Sequence, residues 1–219
     1  MRNLTHLVMS LALATSALGM LQPNTAAAEG KTPLRLATAD VDTARRGFTD
    51  LLAASRQSGA RFADLPGVHE HAASSLGQPL PVAMIRLDHL RAYEAGASVD
   101  GLIDHLGVVL YPVQVGRDVR AEIEVVRDGS TWQVVRVGAS GHARELARVG
   151  KIIGAPAYLV RVPALGVELL AYGSGPALRL ALVHATPGVA LPAGRALPAE
   201  DVLRVLVPLA RAYKEPVRK

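Results

Sequence analysis

The stretch Val108–Gly138, VVLYPVQVGRDVRAEIEVVRDGSTWQVVRVG, constrains the fold more than any other part of the chain. Two apolar-alternating runs, Val119–Arg127 and Ser130–Val137, meet at Asp128-Gly129. That dipeptide suits a type I′ turn, which needs positive φ at both central positions. A third run, Val108–Val115, precedes them across Gly116-Arg117-Asp118. A period of two places Val119, Ala121, Ile123 and Val125 on one face and Arg120, Glu122 and Glu124 on the other. The expected unit is an antiparallel three-strand meander with one face on a core and one on solvent. Trp132 and Val134 share a face of its last strand, and Trp132 reads as a core anchor.

The flanking segments extend this plan. Val41, Ala44, Phe48, Leu51, Leu52 and Ser55 recur at helical spacing, so a helix is expected from Thr38 or Asp40 to about Ser58, with Gly59 at its C-terminal boundary. Gly47 lies within the stripe and marks close packing against the sheet. Arg61–Pro81 reads as loop, Val82–Leu87 as a buried strand, Asp88–Tyr93 as a helical turn and Ser98–Leu106 as a short helix. Ser140 is placed to cap a basic helix over His142–Val149. Ala157–Pro163 and Gly166–Tyr172 form a second hairpin, followed by a strand over Ala177–Ala185. Thr186–Pro198 reads as a surface crossing rich in Pro and Gly. A last helix, Ala199–Tyr213, is expected to kink or end early at Pro208.

The fold class expected from this order is α+β: a curved antiparallel sheet of two three-strand meanders, packed by N-terminal, middle and C-terminal helices. Tyr111-Pro-Val-Gln-Val echoes Tyr158-Leu-Val-Arg-Val, which outlines a weak βββα repeat at about 108–150 and 157–213. The general similarity of valine-rich strands accounts for the echo almost as well.

Met1–Ala28 carries an early Arg2, an apolar core over Leu7–Leu21, the helix-breaking Gln22-Pro23-Asn24 and the small residues Ala26-Ala27-Ala28. This is the pattern of a secretory signal peptide, with cleavage expected after Ala28. The remainder, 29–219, reads as a single α+β domain that is periplasmic or secreted. No later run reaches the 18 or so apolar residues of a membrane-spanning helix, so no transmembrane segment is expected in the mature chain.

Composition narrows the chemistry. The chain has no cysteine, which excludes thiolate catalysis, disulfides and Cys-type metal sites. With one Trp, two Phe and five Tyr, it lacks the rings for a base-stacking surface. Its net charge of +5 is mixed with acids, and no nucleic-acid partner is expected. GxxxxGK[ST] and GxGxxG are absent, and no cofactor is expected. Gly138-Ala139-Ser140-Gly141-His142 and Gly173-Ser174-Gly175 miss the nucleophile-elbow pattern and read as turns and caps.

Three groupings are left. His69 and His71 would project to one side of an extended segment and are the weak metal candidates, with Asp88-His89 and Asp104-His105 as further ligands. Glu122 and Glu124 share a strand face about 7 Å apart, with Arg120 beside them and Arg127 or Arg136 across. A glycosidase-like pair tolerates that spacing, but a salt-bridged solvent face fits the composition better. Arg144, Arg148 and Lys151 on one helix, and Arg204, Arg211, Lys214, Arg218 and Lys219 at the C-terminus, form basic patches suited to an anionic surface. The sequence therefore reads as an exported, non-enzymatic protein of the envelope or secretome that binds a protein, peptide or apolar ligand. The competing reading is a secreted hydrolase or metal-dependent enzyme using His69, His71 and an Asp-His pair.

Overall fold

A computed structural model describes residues 38–58, 74–138, 140–154 and 157–214. The proposed export segment, the His69-Glu70-His71 loop and Arg218-Lys219 lie outside the described residues. Helix α1 spans Thr38–Ser58. It is followed by strands β1 (Ser74–Leu76) and β2 (Leu80–Ile85), helix α2 (Leu87–Ala92), and strands β3 (Ile103–Val115), β4 (Asp118–Asp128) and β5 (Thr131–Gly138). Helix α3 (Ser140–Ile153) leads to β6 (Tyr158–Val162), β7 (Val167–Tyr172), β8 (Arg179–Leu182), β9 (Ala196–Pro198) and helix α4 (Ala199–Ala212).

The mixed α+β class is as expected, but the sheet is larger and more continuous than two separate meanders. The described residues form one nine-stranded sheet in the order β5-β4-β3-β2-β6-β7-β8-β9. β1 joins the same edge of β3 as β2, further along that long strand. The runs β3–β5 and β6–β8 are each consecutive and antiparallel, yet they are halves of one sheet. β2 joins them, pairing antiparallel with β3 and parallel with β6. The parallel pair is the one departure from antiparallel order among the named strands.

Local expectations were corrected in three places. Ser98–Leu106 is not a helix: a single 3-10 turn covers Val99–Leu102, and Ile103 already opens β3. Short strands β1 and β9 occupy stretches read as loop. The turn at Asp128-Gly129 is shifted by one residue. Asp128 stays in the ladder opposite Thr131, Gly129 takes φ +59 and Ser130 does not take positive φ. Glycine at the first central position with an ordinary second residue is the type II′ pattern.

Alternation along the strands separates two faces. On one, Leu146 and Val149 of α3 pack with Val82, Leu110, Leu159 and Leu170. On the other, Ala44 and Phe48 of α1 pack with Tyr111, Ile123 and Val125. The same side carries α2 and α4, where Leu90, Leu203 and Leu206 meet Ile85, Val160 and Leu169. Trp132 is half-buried against the α1 cluster. The helices that close the two βββ runs therefore lie on opposite faces, and β9 precedes only the second.

Gly47 is a point of close approach. A Cβ built there would collide with Val134 Cγ2 on β5. In an exposed helix, Gly→Ala stabilises by roughly 1 kcal/mol. Here Gly47→Ala should instead destabilise by about 1 kcal/mol, because overpacking costs about 1–3 kcal/mol. Adding Val134→Ala should restore the ordinary sign. Urea midpoints of the two variants decide it.

Candidate functional site

The face of β4 read as solvent-exposed is covered. Glu122 is 1% and Glu124 9% exposed, because α3 crosses the sheet above them. The half-wet expectation fails because α3, the next element after β5, lies back over the strand that β5 pairs with. Gly138 sits opposite Glu122 in register, and a Cβ there would lie 2.6 Å from Glu122 Cγ. Only glycine leaves room for the carboxylate to lie flat under the helix start.

The pattern on β4 also breaks at its beginning. Val113 pairs with Ala121 but Gln114 pairs with Val119, so Arg120 is the extra residue of a bulge. Val119 thereby moves away from the face of Ala121 and joins Gln114 beside α3. A one-residue insertion reverses the facing of everything before it.

Buried carboxylates must be paired with charge or hydrogen-bonded. Here three carboxylates meet three cations. Arg136 on β5 bonds Glu122 Oε1 and reaches Glu124 Oε2 at 3.4 Å. His142, in the first turn of α3, bonds Glu122 Oε2 through Nδ1 and Glu168 Oε2 through Nε2, each at 2.7 Å. Arg161 on β6 donates to both oxygens of Glu124, at 3.1 and 3.0 Å, and to Glu168 Oε1 at 3.3 Å. Three strand spacings separate β4 from β6, about 14 Å in a flat sheet. Contacts across that span report a sheet curled toward this face.

The electrostatics follow from the geometry. Bonds to Glu122 and then Glu168 raise the His142 pKa to about 9, against the opposing pull of burial. A helix N-terminus also disfavours a cation, so the two carboxylates overcome both effects. Burial pushes the Glu168 carboxyl up, but His142 and Arg161 outweigh it and hold it below its ordinary value. Burial likewise opposes the charged form of Arg161, and its carboxylate partners leave its pKa raised. With His142 protonated the six groups are charge-balanced.

No family model, curated protein or solved structure matches the chain.

The cluster is chemically closed. Both Glu122 oxygens are engaged by cations, and both Glu124 oxygens are held by Arg161. Neither carboxylate is presented as a nucleophile or a proton donor. The salt bridging expected of Glu122 and Glu124 is found; the solvent is not. Arg161, Glu168 and His142 were not grouped with them by sequence. The available signal was that Arg161 and Glu168 are the one charged residue in each of two otherwise apolar or aromatic strands.

The other groupings fall elsewhere. The structure brings the two Asp-His pairs together, with His89 Nδ1 3.7 Å from Asp104 Oδ2. His105 instead stacks obliquely on Tyr158 at 5.7 Å. Among the described residues no group of three or more His, Asp or Glu could hold a metal ion. At the C-terminus, Arg211 donates to the carbonyls of Arg91 and Tyr93, while Arg91 donates to those of Ala210 and Tyr213. These arginines cap two helix ends and tie α2 to α4. Arg204 pairs with Asp201. No helix among the described residues is long and apolar enough to cross a membrane.

Two cavities flank α3. One, of about 460 Å³, lies between the C-terminal half of α3 and the sheet, walled by Leu80, Leu110, Pro112, Leu146 and Leu170. The other, of about 500 Å³, lies between α3 and the β3–β4 turn and carries Arg117, Arg120, Arg144, Arg148 and Lys151.

Proposed function

We propose that the chain is an exported, non-enzymatic binding protein that holds an apolar ligand in the groove between α3 and the sheet. The observation that carries this reading is the division of labour along α3. Its first turn is locked down by the charge cluster, which uses the buried acids and bases structurally. Its second half packs on the sheet through Val149 and leaves beside that contact an open groove with aliphatic walls. A groove of this size lies within the range of about 300–1,000 Å³ typical of small-molecule sites, which are mostly apolar. The signal-peptide pattern of Met1–Ala28 supports a periplasmic or secreted location. The hydrolase or metal-enzyme reading depends on His69 and His71, and metal analysis of the purified protein tests it directly.

Gly150 gives a clean test of the groove. It lines the groove on α3, and a Cβ built there meets nothing within 4 Å. Gly150→Leu should fill the space from the helix side. Removing an interior glycine adds about 0.5–1 kcal/mol of helix stability, so the variant should unfold no more easily than the parent. An uncharged fluorescent apolar reporter should bind the parent saturably and lose at least tenfold in affinity in Gly150→Leu, about 1.4 kcal/mol. Absence of saturable binding by the parent, or equal binding by the variant, would refute the groove as a ligand site.

A further inference from the structure

We infer that the occupant is a single-chain acyl lipid with a phosphate headgroup. This rests on the groove reading above and adds the chemistry of the ligand. The apolar groove and the basic cleft adjoin each other: Val119, Ala147 and Lys151 line both. A molecule lying along α3 passes from aliphatic walls to a cationic basin without leaving the protein surface.

The basin is cationic beyond its own needs. It holds five basic side chains, Arg117, Arg120, Arg144, Arg148 and Lys151, against the carboxylates of Asp118 and Glu145. Asp118 pairs with Arg120 at 3.2 Å and Glu145 with Arg148 at 2.6 Å. Arg117 and Lys151 carry a positive surplus beyond those pairs. Arg120 adds a second sign: its Nε is buried at the bulge with no hydrogen-bond partner. Arginine forks match phosphate oxygens in planar, bidentate fashion, and a phosphate monoester brings roughly −1.5 to −2 charge at neutral pH. One carboxylate would offset less of the surplus.

A free anion would leave the aliphatic groove empty, and an uncharged lipid would leave the basin's field unanswered.

Three matched probes separate these terms: a lysophosphatidate, the monoacylglycerol with the same chain, and glycerol 3-phosphate. Titrations are made below the micellar concentration, with Arg117→Glu as the variant. Arg117 is exposed and lines the basic cleft but not the apolar groove, so folding and the groove should be unaffected. The lysophosphatidate should bind the parent about tenfold or more tighter than the monoacylglycerol, the scale of charge-assisted contacts. That advantage should shrink with salt. It should fall sharply in Arg117→Glu while monoacylglycerol binding persists. Glycerol 3-phosphate should bind far more weakly than the lipid.

Equal binding of the two lipids, or a phosphate advantage that survives undiminished in the variant, overturns the headgroup assignment and leaves the groove standing. Glycerol 3-phosphate binding as tightly as the lipid also overturns it. Failure of both lipids and of the uncharged reporter refutes the groove itself.

Discussion

Arg161→Met should lower stability by about 3 kcal/mol, the low end of the cost of removing one partner from a buried charge pair. For a domain of this size that is a fall in Tm of roughly 6–12 °C. Arg161 is the cation that holds Glu124 by both oxygens and Glu168 by one, with 22% of its side chain exposed. Its loss strands the buried carboxylate of Glu124 against the weaker contact from Arg136. The cost therefore comes from an uncompensated carboxylate, not from lost packing. Two comparisons test that cause. Arg161→Lys keeps the charge but not the fork, and should recover only part of the loss. Arg161→Met with Glu124→Leu removes both charges and should recover most of it, as replacing a whole buried pair by apolar groups often does. If Arg161→Met changes the urea-derived stability by less than about 0.5 kcal/mol, the cluster behaves as a surface pair.

The elements whose information is local were legible from the chain. The stripe of α1, the alternation of β4 and β5, the hairpin of β6 and β7 and the apolar face of α4 all follow periods that any window of residues displays. Helix α4, however, runs on through Pro208 to Ala212 and does not end early there. Gly47 was legible too, since a glycine inside an apolar helical stripe lets a neighbouring element come close. What failed was information held between distant segments. Joining the two halves of the sheet needs Val82 beside Leu159 and Ala83 beside Val160, a parallel pairing that no local pattern encodes. Val99, Leu102, Ile103 and Leu106 fall at helical spacing by coincidence, while Ile103 in fact starts a strand.

The charged site shows the same division. Alternation correctly put Glu122 and Glu124 on one face, and charge then implied that the face was wet. The two carboxylates are buried because α3 returns over them and because Arg161 and Glu168 arrive from the far side of the sheet. His142 was legible only as one residue of a basic helix. Its role depends on being the residue in the first turn that reaches two carboxylates on strands far apart in the sheet order.

His142 should make the protein less stable in mild alkali. Its folded pKa is about 9, above the ordinary value of 6.5, because Glu122 and Glu168 bond the protonated ring. A raised cation pKa contributes stability in full below the unfolded value and loses it as pH rises through the folded value. The window is therefore from about pH 6.5 to about pH 9, and the contribution is on the order of 3 kcal/mol at 1.4 kcal/mol per unit. The same two carboxylates are also bonded by Arg136, at Glu122, and by Arg161, at Glu168, and both arginines reach Glu124. Glu168 acts in the opposite sense. Its lowered pKa gives stability that disappears as pH falls through the folded value, so the acid side has its own limb. Unfolding midpoints measured from pH 6 to pH 9.5 should decline for the parent. His142→Gln should be less stable at pH 6 and nearly flat over the same range, so the two curves converge in alkali. Taking the difference cancels the titrations of groups that do not contact the ring. Parallel curves would mean that the ring carries no proton-linked stability, and the six-group cluster would then be balanced by something other than a protonated His142.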